Sequence, residues 1–319
     1  MPPPLAKRNS LIENTDNRDT GGVYAAALTP LDKGFMPDVG TYSDHCRWLL
    51  GNGCHGIAVL GTTGEANSLG YAARVRIIEA ACRTLPADKL IIGTGSCALA
   101  DSLALTRLGL DNGARRFLIL PPFYYKPVPD DGVFRFFAHL IEGLGSDALR
   151  IYLYNFPQMT GYNFPLSVIR RLKKHFGPLI AGIKDSSGNW ENMALLCREV
   201  DDFTVFAGTE TYLLDILRAG GQGCISASAN VTSAICRQVF DDPDHGDETQ
   251  ARLSAIRRVL EARPPVPALK ALTGARTGNS VWDNVLPPFS RLPAGDLATL
   301  SAELDEQGFD RARCRLING

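Results

Sequence analysis

The sequence predicts an α/β protein, a (β/α)8 TIM barrel with a C-terminal helical extension. Three observations carry that prediction. Eight short apolar runs rich in β-forming residues alternate with longer amphipathic stretches of helical period, and the βα unit repeats at roughly 25–35 residues. The runs are apolar throughout, as expected for parallel strands covered on both faces. No GxGxxG follows the first run, although an open doubly wound sheet that binds a dinucleotide would favour one there.

The elements follow in order. The first twenty residues, MPPPLAKRNSLIENTDNRDT, lack an apolar h-region and read as a flexible polar tail, not as an export signal. Strands are expected at Val23–Leu28, His55–Leu60, Leu90–Gly93, Phe117–Leu120, Ile151–Tyr154, Ala181–Ile183, Thr204–Phe206 and Gly223–Ala227. Thr29-Pro30 closes the first and Pro121-Pro122 the fourth. Helical patterns lie between them, at Thr41–Asn52, Ala72–Thr84, Ser102–Asn112, Gly132–Leu144, Pro165–His175, Asn189–Val200 and Tyr212–Ala219. Beyond Asn230 the alternation stops. The chain is therefore divided into a tail over 1–20, a catalytic barrel over 21–229 and a helical region over 230–319 packed on the barrel.

Composition narrows the function classes. The chain of 319 residues is 45% hydrophobic, enough to fill one large core. Its 33 Lys+Arg against 34 Asp+Glu leave a net charge of -1 with no basic block, so neither nucleic acid nor an anionic membrane is an expected partner. No apolar run reaches the roughly 18 residues of a membrane span, and a cytoplasmic location is expected. The eight cysteines are scattered and form no CxxC pair, and the five histidines form no HExxH. Free structural thiols are expected, and no metal or redox motif is visible.

Chemistry is expected at the C-terminal ends of the strands, where a TIM barrel builds its active site. Ile180-Ala181-Gly182-Ile183-Lys184-Asp185-Ser186-Ser187-Gly188 is a buried strand that opens into a polar end. A lysine at such a place snorkels, pairs with a carboxylate such as Asp185, or has a chemical task. Imine formation is one such task, and it needs the neutral amine that a low-dielectric interior favours. Gly61-Thr62-Thr63-Gly64-Glu65-Ala66 follows the second strand and reads either as an ordinary capped turn or as a nest of backbone N–H groups for a carboxylate. After the fourth strand, Phe123, Tyr124 and Tyr125 suit an interface or packing. Tyr154, ending the fifth, is in phase to set its phenol one strand from Lys184, where it either moves protons or bonds a backbone carbonyl.

GTTGE at Gly61–Glu65, YNFP at Tyr154–Pro157 and GIKDSSG at Gly182–Gly188 together resemble the dihydrodipicolinate synthase / N-acetylneuraminate lyase superfamily of class I, pyruvate-handling aldolases. Gly208-Thr209-Glu210 and Gly223–Asn230 are similar to it as well, and only about the first twenty residues fall outside the likeness. The resemblance implies a cofactor-free Schiff-base lyase. It makes Lys184 the imine-forming lysine, Tyr154 the proton carrier at the keto carbon, Thr62 a relay hydroxyl and Tyr124 a second relay tyrosine that reaches a neighbouring subunit, with Tyr125 in its place if the loop is shifted. Thr63, with Gly61 in the same turn, holds the pyruvate carboxylate, and Ile225 lines the pyruvate pocket. A homotetramer built as a dimer of tight dimers is implied too.

One departure bears on substrate. The synthases carry an arginine two residues after the YNxP proline, to grip the carboxylate of aspartate semialdehyde, and this sequence has Met159 there. YNFPxxTG is similar instead to the 2-keto-3-deoxy sugar-acid aldolases, whose aldehydes are hydroxylated. Gln158, Thr160, Ser186 and Ser187 are the expected hydrogen-bonding groups for such an acceptor. A 4-hydroxy-tetrahydrodipicolinate synthase is the alternative, followed by a sugar-acid dehydratase and a non-catalytic 2-keto-acid-binding barrel.

Overall fold

The computed structural model describes residues 21–316; the tail expected over 1–20 lies outside them. Eight parallel strands close a barrel in sequence order: β1 Gly22–Ala26, β2 Gly56–Val59, β3 Leu90–Gly93, β4 Arg116–Ile119, β5 Arg150–Asn155, β6 Ile180–Asp185, β7 Thr204–Ala207 and β8 Gly223–Ser226. Closure pairs Tyr24 of β1 with Ile225 of β8 and leaves no strand edge exposed. The fold is the predicted TIM barrel.

Alternation along each strand divides the apolar residues into two cores. Val23, Ile57, Ile92, Phe117, Leu153, Ile183, Val205 and Cys224 face outward and meet the helices. Tyr24, Ala58, Ile91, Leu118, Tyr152, Tyr154, Phe206 and Ile225 face inward and fill the barrel. Gly56 makes that filling possible, since a Cβ there would sit 2.2 Å from Cε1 of Tyr24. Phe206 meets Tyr24 edge-on at 5.3 Å and Tyr152 at 5.8 Å, and Arg116 donates to the Tyr24 hydroxyl at 2.9 Å below them. Fully burying each such ring is worth about 1.5–3 kcal/mol.

Helices α1 Val39–Gly51, α2 Tyr71–Thr84, α3 Leu99–Asp111 and α4 Asp130–Leu144 cover the first four strands. In α4, Val133, Phe136, Phe137, Leu140, Ile141 and Leu144 recur at helical spacing on the buried face, and Gly145 ends the helix at φ 58°, a left-handed conformation that glycine adopts without penalty. A single turn, α5 Pro157–Thr160, then precedes α6 Leu166–Phe176, α7 Trp190–Glu199 and α8 Leu213–Arg218. Asn189 caps α7 by accepting from Asn192 N, as Asp38 caps α1 by accepting from Thr41 N.

The region after residue 229 differs from an all-helical appendage in two respects. Helix α9, Ala229–Asp241, packs on β1 and β8 and completes the eighth βα unit, so the barrel continues to Asp241. Past α10 Asp247–Glu261, α11 Pro265–Thr277 and α12 Ala294–Glu306, an antiparallel pair joins β9 Phe309–Asp310 to β10 Arg315–Leu316. Two-residue strands leave no periodicity to read. All eight cysteines are free, and Cys97 is exposed. Among the described residues, no helix is long and apolar enough to cross a membrane.

Candidate active site

The centre of the site follows from strand register. Tyr154 of β5 is paired with Lys184 of β6, and with a period of two both side chains point into the barrel near its C-terminal mouth. Lys184 is 4% exposed, its Nζ donates to the Tyr154 hydroxyl at 3.2 Å, and it lies 4.4 Å from the centroid of that ring. Among the described residues it has no carboxylate partner. Asp185, the adjacent carboxylate, faces away: its Oδ1 accepts from Ser187 N at 2.7 Å and its Oδ2 from Asn192 Nδ2 at 2.6 Å. Lys184 therefore neither snorkels nor sits in an ion pair, and its buried amine meets a hydroxyl and an aromatic face.

Two further contacts define the neighbourhood of Tyr154. Thr62 Oγ1 stands 3.3 Å from the Tyr154 hydroxyl, which links lysine, phenol and threonine in one chain of exchangeable protons. Phe156 stacks on the tyrosine ring at 5.8 Å and fixes its plane. Asn155, fully buried at the end of β5, accepts from Phe164 N at 3.1 Å and donates to Asn163 Oδ1 at 2.9 Å, which anchors the strand end from outside the barrel.

The turn after β2 begins and ends at residues in the left-handed region, Leu60 at φ 56° and Glu65 at φ 57°. Such a conformation is uncommon for a side-chain-bearing residue and marks a turn held by its surroundings. Internal bonds from Gly64 N to Gly61 O and from Glu65 N to Thr62 O close it, at 3.1 and 3.0 Å. Among the described residues the backbone N–H groups of Thr62 and Thr63 have no acceptor, as a nest for an anion requires, and Thr63 is buried. Gly61, Thr62, Asn67, Gly95, Leu120 and Tyr154 line one cavity. Asn67, two residues past Glu65, was not singled out in the sequence because polar loop residues there carry no pattern.

The remaining candidates are distributed unevenly. Ile225 is fully buried inside the barrel beside Tyr24. Ser186, whose N–H donates to Asn155 O at 2.7 Å, packs against Gly208, where a Cβ would come within 2.1 Å of its Oγ. Met159 is 58% exposed on α5. Tyr124 and Tyr125 are 76% and 82% exposed, meet each other edge-on at 5.3 Å, and bond to none of Lys184, Tyr154 and Thr62. Two expected acceptor contacts are already engaged. Thr160 is buried, with its hydroxyl bonded to Phe156 O and Tyr162 O, and the Gln158 amide donates to Ser187 O at 2.7 Å.

A barrel with a buried lysine amine, a phenol and a hydroxyl at its mouth fits the class I Schiff-base lyases. Residues 19–305 match the Dihydrodipicolinate synthetase family, and the chain belongs to that family. It is 35% identical over 281 residues to an uncharacterized DapA-like lyase of Chloroflexus aurantiacus, covering 85% of this chain and 90% of the relative. A 4-hydroxy-tetrahydrodipicolinate synthase of Thermodesulfovibrio yellowstonii is 31% identical over 233 residues, covering 72% and 78%. Among solved structures, dihydrodipicolinate synthase from Agrobacterium tumefaciens superposes with a TM-score of 0.83 at 30% identity, over 90% of this chain and 99% of that one.

Proposed function

We propose that this lyase makes and cleaves the C–C bond between pyruvate and a hydroxylated aldehyde, as a 2-keto-3-deoxy sugar-acid aldolase. The observation that carries the chemistry is the buried Lys184 amine, free of any carboxylate among the described residues and 3.2 Å from the Tyr154 hydroxyl. The amine adds to the keto carbon, Tyr154 delivers the proton with which water leaves, and an iminium forms. In the cleavage direction the hydroxyl proton on the carbon beyond the scissile bond passes to Tyr154. That bond breaks as its electron pair moves into the iminium, an aldehyde departs, and the enamine is protonated and hydrolysed to pyruvate. Thr62 relays protons to and from Tyr154, and the turn carrying Thr63 holds the carboxylate.

Met159 supports the choice of acceptor. A thioether cannot make charge-assisted bonds, so an acceptor carboxylate at that place has no partner, whereas a hydroxylated aldehyde needs none. Because Met159 is 58% exposed, a carboxylate there keeps part of its hydration, and the loss is that of a charge-assisted bond, roughly 1.5–3 kcal/mol, not that of a fully buried unpaired charge. One observation favours the synthase as a second reading. The stem of Lys126 lies over Gly161, where a Cβ would meet its Cε at 2.5 Å, which brings a basic side chain to the C-terminal end of the turn that carries Met159. The test is a panel of 2-keto-3-deoxy acids assayed for pyruvate release beside condensation of pyruvate with aspartate semialdehyde. Faster condensation with aspartate semialdehyde would replace the aldolase reading by the synthase.

A further inference from the structure

The turn that carries Thr62 and Thr63 ends at Glu65, whose side chain is not aimed at the site at all. It is 3% exposed and turns outward into the protein, where it forms an ion pair with Lys270 of α11, itself fully buried. Its second oxygen accepts from Leu286 N at 2.6 Å, and Lys270 Nζ also donates to Asn284 O at 2.7 Å. On the opposite side Thr29 Oγ1 donates to Gly64 O at 2.8 Å. The segment Asn284–Leu286 and α11 thus meet the turn through one carboxylate.

A buried ion pair is weak evidence for stability, since apolar residues of similar volume often serve as well. What apolar residues would not do is set a register. Glu65 holds a left-handed backbone conformation, and its two oxygens, bound to an ammonium and to a main-chain N–H, fix the position of its Cα against two C-terminal elements. The backbone N–H groups at Thr62 and Thr63 lie three and two residues away on the same tight turn. Small displacements there matter, because a misplacement of about 1 Å costs on the order of a hundredfold in a positioned reaction.

We infer that Glu65 and Lys270 are positioning residues for the substrate carboxylate, making α11 part of the binding apparatus through the turn it holds. The inference rests on the functional reading that gives this turn the pyruvate carboxylate. Burial pulls the Lys270 pKa below the ordinary lysine value, and the facing Glu65 offsets part of that pull, so the pair acts as a unit.

The test titrates pyruvate against borohydride trapping at Lys184, followed by mass spectrometry of the intact chain. It compares wild type with the double variant Glu65→Leu/Lys270→Met, which fills the same space without charge, and with Glu65→Gln, which changes one atom and carries the test if the double variant does not fold. At temperatures well below each variant's Tm, the half-saturating pyruvate concentration is expected to rise tenfold or more, with trapping still complete at saturation. A purely structural pair would lower Tm and leave half-saturation within twofold of wild type, and that result would overturn the inference. Wild type that traps no pyruvate would instead bring down the functional reading.

Discussion

The Lys184 amine and the Tyr154 hydroxyl, 3.2 Å apart, come from directly paired positions on two adjacent parallel strands. Their separation is set by the spacing of the barrel and not by a loop, and the proposed mechanism uses it to keep a proton donor at the amine that attacks the keto carbon. Tyr154→Phe keeps the ring and its stacking on Phe156 but removes the carrier. Turnover is expected to fall by about 10²–10⁴, the usual worth of a positioned acid or base, with the circular dichroism spectrum and Tm little changed. A rate within a fewfold of wild type would return Tyr154 to a packing role.

Acceptor choice is expected to follow position 159. Met159→Arg should raise kcat/KM for aspartate semialdehyde by about 10–100-fold relative to a hydroxyaldehyde such as glyceraldehyde, because it supplies one charge-assisted bond. If wild type already prefers aspartate semialdehyde, Lys126→Met should abolish that preference. Should it survive that substitution as well, neither residue contacts the acceptor carboxylate.

Tyr124 and Tyr125 form the most exposed aromatic pair among the described residues, at 76% and 82%, and large apolar rings presented together are what a protein interface covers. A homotetramer assembled from tight dimers with this pair at the tight interface is the expectation. Light scattering of wild type against Tyr124→Ser/Tyr125→Ser should show a shift toward smaller species. A fully active wild-type monomer would remove Tyr124 from the relay.

His45 gives a pH signature of its own. It is buried on α1, with Nε2 2.8 Å from Asn230 Oδ1, while Asn230 Nδ2 donates to Ala26 O and Ala227 O, so Oδ1 is the acceptor and the ring donates through Nε2. Burial lowers its pKa from 6.5 to about 4. The unfolded chain therefore takes up this proton near pH 6.5 and the folded chain does not, so the contribution is present above that pH and is lost as pH falls toward 4. By about pH 5 the loss is about 2 kcal/mol. Urea midpoints measured at about pH 7.5 and about pH 5 should fall further for wild type than for His45→Gln; equal falls would mean that another group titrates.

Much of this was legible in the sequence because it depends on short-range periodicity. Period two in the strands puts Tyr154 in phase with Lys184, whereas Ile225 is marked in the sequence only by the family resemblance. Strand ends shifted by one or two residues where side chains intervene: Leu28 N bonds Asn230 Oδ1, which draws it out of β1, and the left-handed Leu60 stops β2 at Val59. What was not legible is tertiary. Nothing local tells that Glu65 meets Lys270, that Arg257 of α10 joins Glu210 and Ser228 behind β8, or that the Thr160 hydroxyl turns inward to two carbonyls. Each pairs groups whose meeting depends on how helices pack, not on spacing.

The account stands on Lys184 as the nucleophile, and covalent trapping tests that most directly. Wild type treated with pyruvate and borohydride should gain one reduced adduct per chain, which digestion and mass spectrometry place on Lys184, because only an imine is reduced to a stable secondary amine. Lys184→Ala should gain none and lose turnover. An adduct on another lysine, or none in wild type, would contradict the mechanism.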